Sequence, residues 1–286
     1  MKILVTGCNG QLGNEIRKIA GDYSAMSFIY TDVAELDITN INKIDEFVTA
    51  NPVDVIINCA AYTNVDKSET EREIAYKVNV TAAGNLAEIA VKHKAMLVHI
   101  SSDYVFGGTS YKPYNEDDPA NPQGYYAITK FQGEEAILKT DAKAMIIRTA
   151  WLYSEFGNNF VKTMLRLGKE KKELNVVFDQ VGSPTYAADL AKAILDILPK
   201  YNIQGITIYH YTNEGVCSWY DFAHKIMELS GSPCKINPIE TKDYPLPAPR
   251  PHFSVLNKSK IKCTFGIAIP HWESSLKICL KKLGSS

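Results

Sequence analysis

The chain has 286 residues, 45% hydrophobic and 22% charged, and 31 basic side chains balance 32 acidic ones to a formal net charge of -1. This excludes a wholly disordered chain, which needs fewer apolar residues and more net charge, and a nucleic-acid binder that works through a broad basic field. No apolar run approaches the ~20 residues that span a bilayer, so neither a nucleic acid nor a membrane is expected as a partner.

Lys2–Thr6 reads as a short buried strand, and Gln11–Ala20 carries Leu12, Ile16, Ile19 and Ala20 at helical spacing. Met26–Thr31 is a second strand and Asn42–Ala50 a second helix, ended near Asn51-Pro52. Val53–Asn58 is a third strand, Glu69–His93 a long helix and Ala95–Ser101 a fourth strand. A loop rich in Gly, Pro, Asn and Asp covers Gly107–Gly124, followed by a helix over Tyr126–Leu138 and a strand over Lys143–Thr149. This alternation predicts an α/β fold, a doubly wound parallel sheet (Rossmann-like) with helices on both faces.

Beyond Trp151 the rhythm loosens. Helices are expected over Asn159–Lys169, Tyr186–Leu198, Trp219–Leu229 and Trp272–Leu283, and a strand over Leu174–Phe178. Ile206–Tyr211 reads as a strand that returns to the main sheet, and the four prolines of Lys242–Pro251 as an extended loop.

The six cysteines at 8, 59, 217, 234, 263 and 279 form no C-x-x-C pair, and the histidines are equally dispersed, so no metal site is expected. The cysteines read as reduced, small hydrophobes. Gly7, Asn9 and Gln11 interrupt the N-terminal apolar stretch too early for a signal peptide, and a cytoplasmic location is expected.

Gly7, Gly10 and Gly13 form G-x-x-G-x-x-G between the first strand and the first helix. Glycine there allows a sharp turn and lets the backbone approach a pyrophosphate, which the helix N-terminus receives; the amides of Gly10, Gln11 and Leu12 are the expected donors. Asp32, after the second strand, is either an ordinary turn aspartate or an acceptor for an adenosine ribose that disfavours a 2′-phosphate, and Asp37 and Ile38 border the adenine in that reading.

Tyr126 and Lys130 lie four apart on one helix face. A cation beside a phenol lowers its pKa, and such a tyrosine can protonate a carbonyl oxygen as hydride reaches the carbon. The spacing alone is weak, since residues this common give roughly one or two such pairs by chance; its position, one crossover after the fourth strand, is what lends it weight. Ser102, at the C-terminal end of that strand, either holds the substrate carbonyl or merely caps the strand.

These motifs, with NCAAYTNVDKSE at 58–69, SSDYVF at 101–106, PYNEDDPANP at 113–122, RTAWLY at 148–153, DQVGSPTYAADLA at 179–191 and RPHFSVL at 250–256, span nearly the whole chain. Together they resemble the extended short-chain dehydrogenase/reductases, and within them the dTDP-4-dehydrorhamnose reductase family. The resemblance implies reduction of a C4 ketone on a dTDP-sugar by NADPH or NADH, with Tyr126 as proton donor, Lys130 as its electrostatic partner and Ser102 where threonine is frequent. It places Ala60, Ala61, Tyr62 and Thr63 with the glycine turn, Asp32, Asp37 and Ile38 at the cofactor. Thr63, Val65, Ser102, Asp103, Tyr104, Tyr126 and Trp151 fall at the sugar nucleotide. For Trp151 a core aromatic is the alternative, and Arg250 is either a diphosphate contact or a surface loop arginine.

Two departures from the family pattern stand out: Ala127 follows Tyr126 where glycine is usual, and Tyr125 precedes it. Some members dimerise through magnesium held by acidic residues, and Glu15 resembles one such position; the tail LKKLGSS supplies no acid, so a monomer or weak homodimer is expected. The resemblance divides the chain into a dinucleotide-binding domain, 1–150 with 201–225 returning to it, and a smaller C-terminal substrate-binding lobe, mostly 151–286. Reduction of another 4-keto-6-deoxy sugar nucleotide, or formation of the C4 epimer, stays open. So does a non-catalytic role like that of the regulatory subunit of methionine adenosyltransferase.

Overall fold

A computed structural model describes residues 1–202 and 204–284. The chain begins with β1 (Lys2–Thr6), α1 (Gln11–Ile19), β2 (Ser27–Thr31), α2 (Ile41–Ala50) and β3 (Val55–Asn58). Next come α3 (Arg72–Tyr76), α4 (Ala82–Lys92), β4 (Met96–Ser102), α5 (Tyr125–Leu138) and β5 (Lys143–Thr149). The expected helix over 69–93 is thus composite: a π-helical turn at Lys77–Thr81 joins α3 to α4. After β6 (Leu152–Tyr153), α6 (Phe160–Glu170), β7 (Glu173–Val177), β8 (Val181–Gly182), β9 (Thr185–Tyr186) and α7 (Ala187–Ile197), the chain re-enters the sheet as β10 (Ile206–His210). It ends with β11 (Cys217–Ser218), α8 (Trp219–Ser230), β12 (Lys235–Ile239), α9 (Ser259–Phe265) and α10 (Trp272–Lys282). Among the described residues no helix is long and apolar enough to cross a membrane.

Six strands pair in the order β10-β5-β4-β3-β1-β2, every pair parallel. Their alternate side chains serve two cores. Ile3, Val5, Ile57, Val98 and Ile147 meet α1, α7 and α9 through Ile16, Leu190, Ile194 and Ile261 on one face. Leu4, Ile56, Leu97 and Ile146 meet α2, α4 and α5 through Ile44, Leu86 and Ile137 on the other. Two-sided burial explains why these strands read as continuous Val/Ile runs rather than alternating ones. A third core, with Tyr153, Val161, Phe222, Ile226 and Leu276, joins α6, α8 and α10 outside the sheet.

β1 has β2 on one side and β3 on the other, so strand order reverses there, and a ligand crevice forms outside the carboxyl ends of such strands. Thr6 pairs with Asn58 at that edge. Besides the two-residue strands β6, β8, β9 and β11, two longer elements had no counterpart in the sequence reading. β12 contains Pro238 and escaped it for that reason; it pairs only with β7, an edge position that tolerates proline. The short α9 is ended by Gly266 in the left-handed conformation.

Candidate active site

At the crevice, Gly7 has φ +63°, and a Cβ there would lie 2.5 Å from the Ala60 amide nitrogen. A Cβ on Gly13 would lie 2.5 Å from Cys8 Cα. These two glycines are therefore required by the protein's own packing. Gly10, at the N-cap of α1, has only the Gly7 carbonyl within 4 Å of an added Cβ, and it lines the crevice. One expected donor is lost: the Gly10 amide donates to Gly7 O at 3.1 Å. The amides of Gln11 and Leu12, which have no intrahelical acceptor, remain for an anion.

A cavity of about 290 Å³ beside this turn is lined by Asp32, Asp37, Ile38, Ala60 and Ala61. Asp32 is a turn residue as well as a lining one, its carboxylate accepting from the amides of Asn9 (3.0 Å) and Val33 (2.8 Å). The lining contains two carboxylates and neither lysine nor arginine. Tyr62 does not reach it: its hydroxyl donates to Glu71, while Asn79 in the π turn holds the Tyr62 amide and carbonyl.

A larger cavity of about 590 Å³ shares Gly10, Cys59 and Ala61 with the first and runs outward over the sheet. Thr63, Val65, Ser102, Asp103, Tyr104, Tyr126, Lys130 and Trp151 line it together with Gln11 and Leu12. Ser102 also caps the turn after β4, its hydroxyl accepting from the Tyr104 amide and donating to Asp103. Tyr126 packs edge-on against Tyr104, ring centroids 5.5 Å apart. The buried Lys130 ammonium donates to Ile100 O at 2.7 Å.

The expected lowering of the Tyr126 pKa by Lys130 is not found. Burial pushes the phenol up to about 12, with the Ser102 hydroxyl opposing, and burial pulls Lys130 down to about 8, with Glu134 opposing. The removal of each group from water dominates its shift, and neither shift has the other group among its causes. The phenol is consequently protonated at neutral pH, the form needed of a proton donor. Burial also raises Asp103 to about 6.

Two residues have surroundings that the sequence did not show. Arg250 faces a neighbouring pocket of about 300 Å³, and its guanidinium is bidentate to Asp66, at 2.8 and 2.9 Å. A diphosphate contact there would have to displace this pair. Trp151 lines the main cavity with φ +48°, a left-handed backbone that costs a non-glycine residue about 1–3 kcal/mol. Its indole stacks on Trp219, centroids 3.6 Å apart and planes 12° off parallel.

Sequence reasoning missed Trp219 and the support beneath the site. Glu134, one turn beyond Lys130, is fully buried and bidentate to Arg148 of β5, with Nη2–Oε2 2.7 Å and Nε–Oε1 3.0 Å. Ser101 donates its hydroxyl to the same carboxylate. At the other end of α5, the Glu69 carboxylate accepts the Tyr125 amide at 2.7 Å, replacing the side-chain cap that Gly124 lacks. Only a carboxylate four residues after Lys130 and an arginine on the next strand hinted at this network.

Glu15 is wholly buried beside Glu155, which is hydrogen-bonded to Lys18 (2.5 Å) and Tyr186 and paired with Lys282. Magnesium does not fit this donor set, since the neighbouring carboxylate already meets two ammoniums. Burial, with Glu155 adding to it, pushes Glu15 up to about 8 from an ordinary 4.5. The folded state therefore keeps a proton that the unfolded chain releases, and the resulting stability is full below 4.5 and lost as pH rises through about 8. Glu15→Gln is expected to flatten that loss, measured as urea midpoints at mildly acidic and mildly alkaline pH; an unchanged slope contradicts it.

The family model described as "RmlD substrate binding domain" matches residues 1–285. The dTDP-4-dehydrorhamnose reductase of Aggregatibacter actinomycetemcomitans is 42% identical over 287 residues, covering 96% of this chain and 97% of that protein. The crystal structure of a dTDP-4-dehydrorhamnose reductase from Clostridium acetobutylicum superposes with a TM-score of 0.95 at 45% identity, covering 99% and 100% of the two chains. That of the Bacillus anthracis reductase in complex with NADP gives 0.94 at 37%, covering 98% and 99%.

Proposed function

The chain belongs to the RmlD substrate binding domain family, and from that premise we propose that it reduces the C4 ketone of dTDP-4-dehydro-L-rhamnose to dTDP-L-rhamnose. The observation that carries this reading is the convergence of Ser102, Tyr126 and Lys130 on one cavity continuous with the glycine turn. The names of the relatives support a reductase; they give no support to a regulatory subunit.

A nicotinamide dinucleotide suits the donor set: free amides at the α1 N-terminus, open backbone at Gly10, and the carboxylate of Asp32 at the 290 Å³ cavity. When bound, the cofactor supplies the hydride. Ser102 holds the substrate carbonyl oxygen, and Tyr126 Oη gives that oxygen its proton as the carbon is reduced, leaving a phenolate that solvent reprotonates. Protonated Lys130 stabilises the phenolate and orients the cofactor ribose. Trp151, Thr63 and Val65 shape the sugar end. In this reading 1–150, with 201–225 returning, serve the cofactor and 151–286 mostly serve the sugar nucleotide.

The assay is oxidation of NADPH or NADH with and without the 4-keto sugar nucleotide, with NMR of the product; oxidation that is independent of the sugar contradicts the proposal. A carboxylate-lined adenosine site without a cation lets NADH serve beside NADPH. Asp32→Asn is expected to move the ratio of kcat/KM values toward NADPH by about 10-fold, and an unmoved ratio would show that Asp32 does not read the ribose. We also propose a monomer or weak homodimer, because Glu155, beside Glu15, is engaged internally by Lys18 and Lys282. Light scattering with and without magnesium is expected to give one mass; a magnesium-dependent dimer contradicts it.

A further inference from the structure

Trp219 is the first residue of α8, and its place is fixed from both sides. The helix is closed at Ser218 by a capping box with Asp221, in which the Ser218 hydroxyl accepts the Asp221 amide at 3.1 Å and the Asp221 carboxylate accepts the Ser218 amide at 2.9 Å. Phe160 packs against the indole with centroids 4.6 Å apart.

On its open side Trp219 lies flat on Trp151. Trp151 also lies against Gly182, where an added Cβ would sit 2.9 Å from Cε2 and Cζ2 of the indole. Trp151 is thus held by a glycine that leaves no room for a side chain and by a second indole, while its backbone is left-handed. Trp219 also lines both the 590 Å³ cavity and the 300 Å³ pocket that holds Arg250, so its ring is part of the wall where the two spaces meet.

A side chain held in an unfavoured backbone conformation persists only when its surroundings over-determine it. Here the surroundings are the Trp219 ring and the Gly182 backbone. We propose that Trp219 is a positioning residue: it holds Trp151 against the sugar end of the cavity, and so sets how the sugar ring lies under the cofactor and which face of the ketone is reduced. This rests on the reductase reading. Trp219 acts on the sugar nucleotide and not on the dinucleotide, because it borders the larger cavity and is absent from the lining of the adenosine-side one.

The test compares Trp219→Ala and Trp219→Phe with the unaltered protein. The readouts are sugar-nucleotide KM and kcat, NADPH Kd, product configuration at C4 by NMR, and circular dichroism of the stacked indoles. In Trp219→Ala the dichroism couplet of the pair is expected to vanish. The sugar KM should rise about 3- to 10-fold, the scale of one aromatic contact, with some product of the opposite C4 configuration and NADPH Kd within about 2-fold. Trp219→Phe, which keeps an aromatic face, should restore most of the KM and the single product. If Trp219→Ala does not fold, Trp219→Phe and Trp219→Leu carry the comparison, with phenylalanine expected to outperform leucine. Unchanged sugar KM and product in Trp219→Ala overturn the proposal. So does a parallel loss of sugar and NADPH binding, which is the mark of a merely structural role. Absence of ketone reduction by the unaltered protein would instead refute the reductase reading.

Discussion

Tyr126→Phe is expected to lower kcat by at least ~10²-fold, the usual scale for loss of a general acid, while leaving NADPH affinity nearly intact. The phenol lines the cavity in its protonated form, held up at about 12 by burial, and Ser102 lines the same cavity. Removing only the hydroxyl keeps the ring against Tyr104, so packing is preserved and the proton is lost. The measurement is steady-state reduction of the 4-keto sugar nucleotide beside a fluorescence titration of NADPH. Turnover near that of the unaltered protein would remove Tyr126 from its role. The adjacent Tyr125 makes an internal control. Its ring packs under Arg72, with 4.8 Å from the guanidinium carbon to the ring centroid, and it does not line the cavity, so Tyr125→Phe should retain full turnover.

Glu134→Ala carries the largest expected effect on stability, a loss of ~3–5 kcal/mol, because it leaves the Arg148 guanidinium buried without its counter-charge. Both side chains are almost wholly enclosed, at 0% and 4% exposure. The same carboxylate ties α5 to β4 through Ser101 and to β5 through Arg148. Of these, α5 carries Tyr126 and Lys130 and β4 carries Ser102. Urea unfolding of Glu134→Ala, Arg148→Met and the double variant Glu134→Leu/Arg148→Met checks this. The double variant should recover much of the loss, since an apolar pair has no charge to strand. A Glu134→Ala protein as stable as the original would mean that the pair is solvated in solution.

The sheet was legible in the sequence because its strands are buried on both faces and separated by amphipathic helices. Lys143–Thr149 and the return of the chain at Ile206 follow from that pattern alone. The glycine turn was equally legible, since Gly7 and Gly13 are dictated by contacts that any other side chain would break. Tyr126 and Lys130 could be placed on one helix face by spacing. What spacing could not show is burial: it gave a lysine that lowers a phenol's pKa, whereas the enclosed pair has moved toward neutrality.

Trp151 illustrates a second limit. Spacing alone reads a tryptophan at the end of a strand as core; the family resemblance puts it at the sugar nucleotide, and a backbone angle with a stacked partner 68 residues away shows how it is held at the cavity wall. Arg250 illustrates a third. A guanidinium near a diphosphate site invites a ligand role, but the sequence gives no sign that Asp66, 184 residues earlier, meets it first. The π turn at Lys77–Thr81 was hidden because its side chains keep helical spacing closely enough; its consequence is Asn79, which pins Tyr62 to Thr129 beside the catalytic face of α5.

The most direct measurement is reduction of dTDP-4-dehydro-L-rhamnose with a cofactor deuterated at the transferable position, followed by NMR of the sugar. The expected product is dTDP-L-rhamnose with deuterium at C4, formed at least ~10²-fold more slowly by Tyr126→Phe. Cofactor that stays unoxidised, or a product without deuterium at C4, would contradict the assignment.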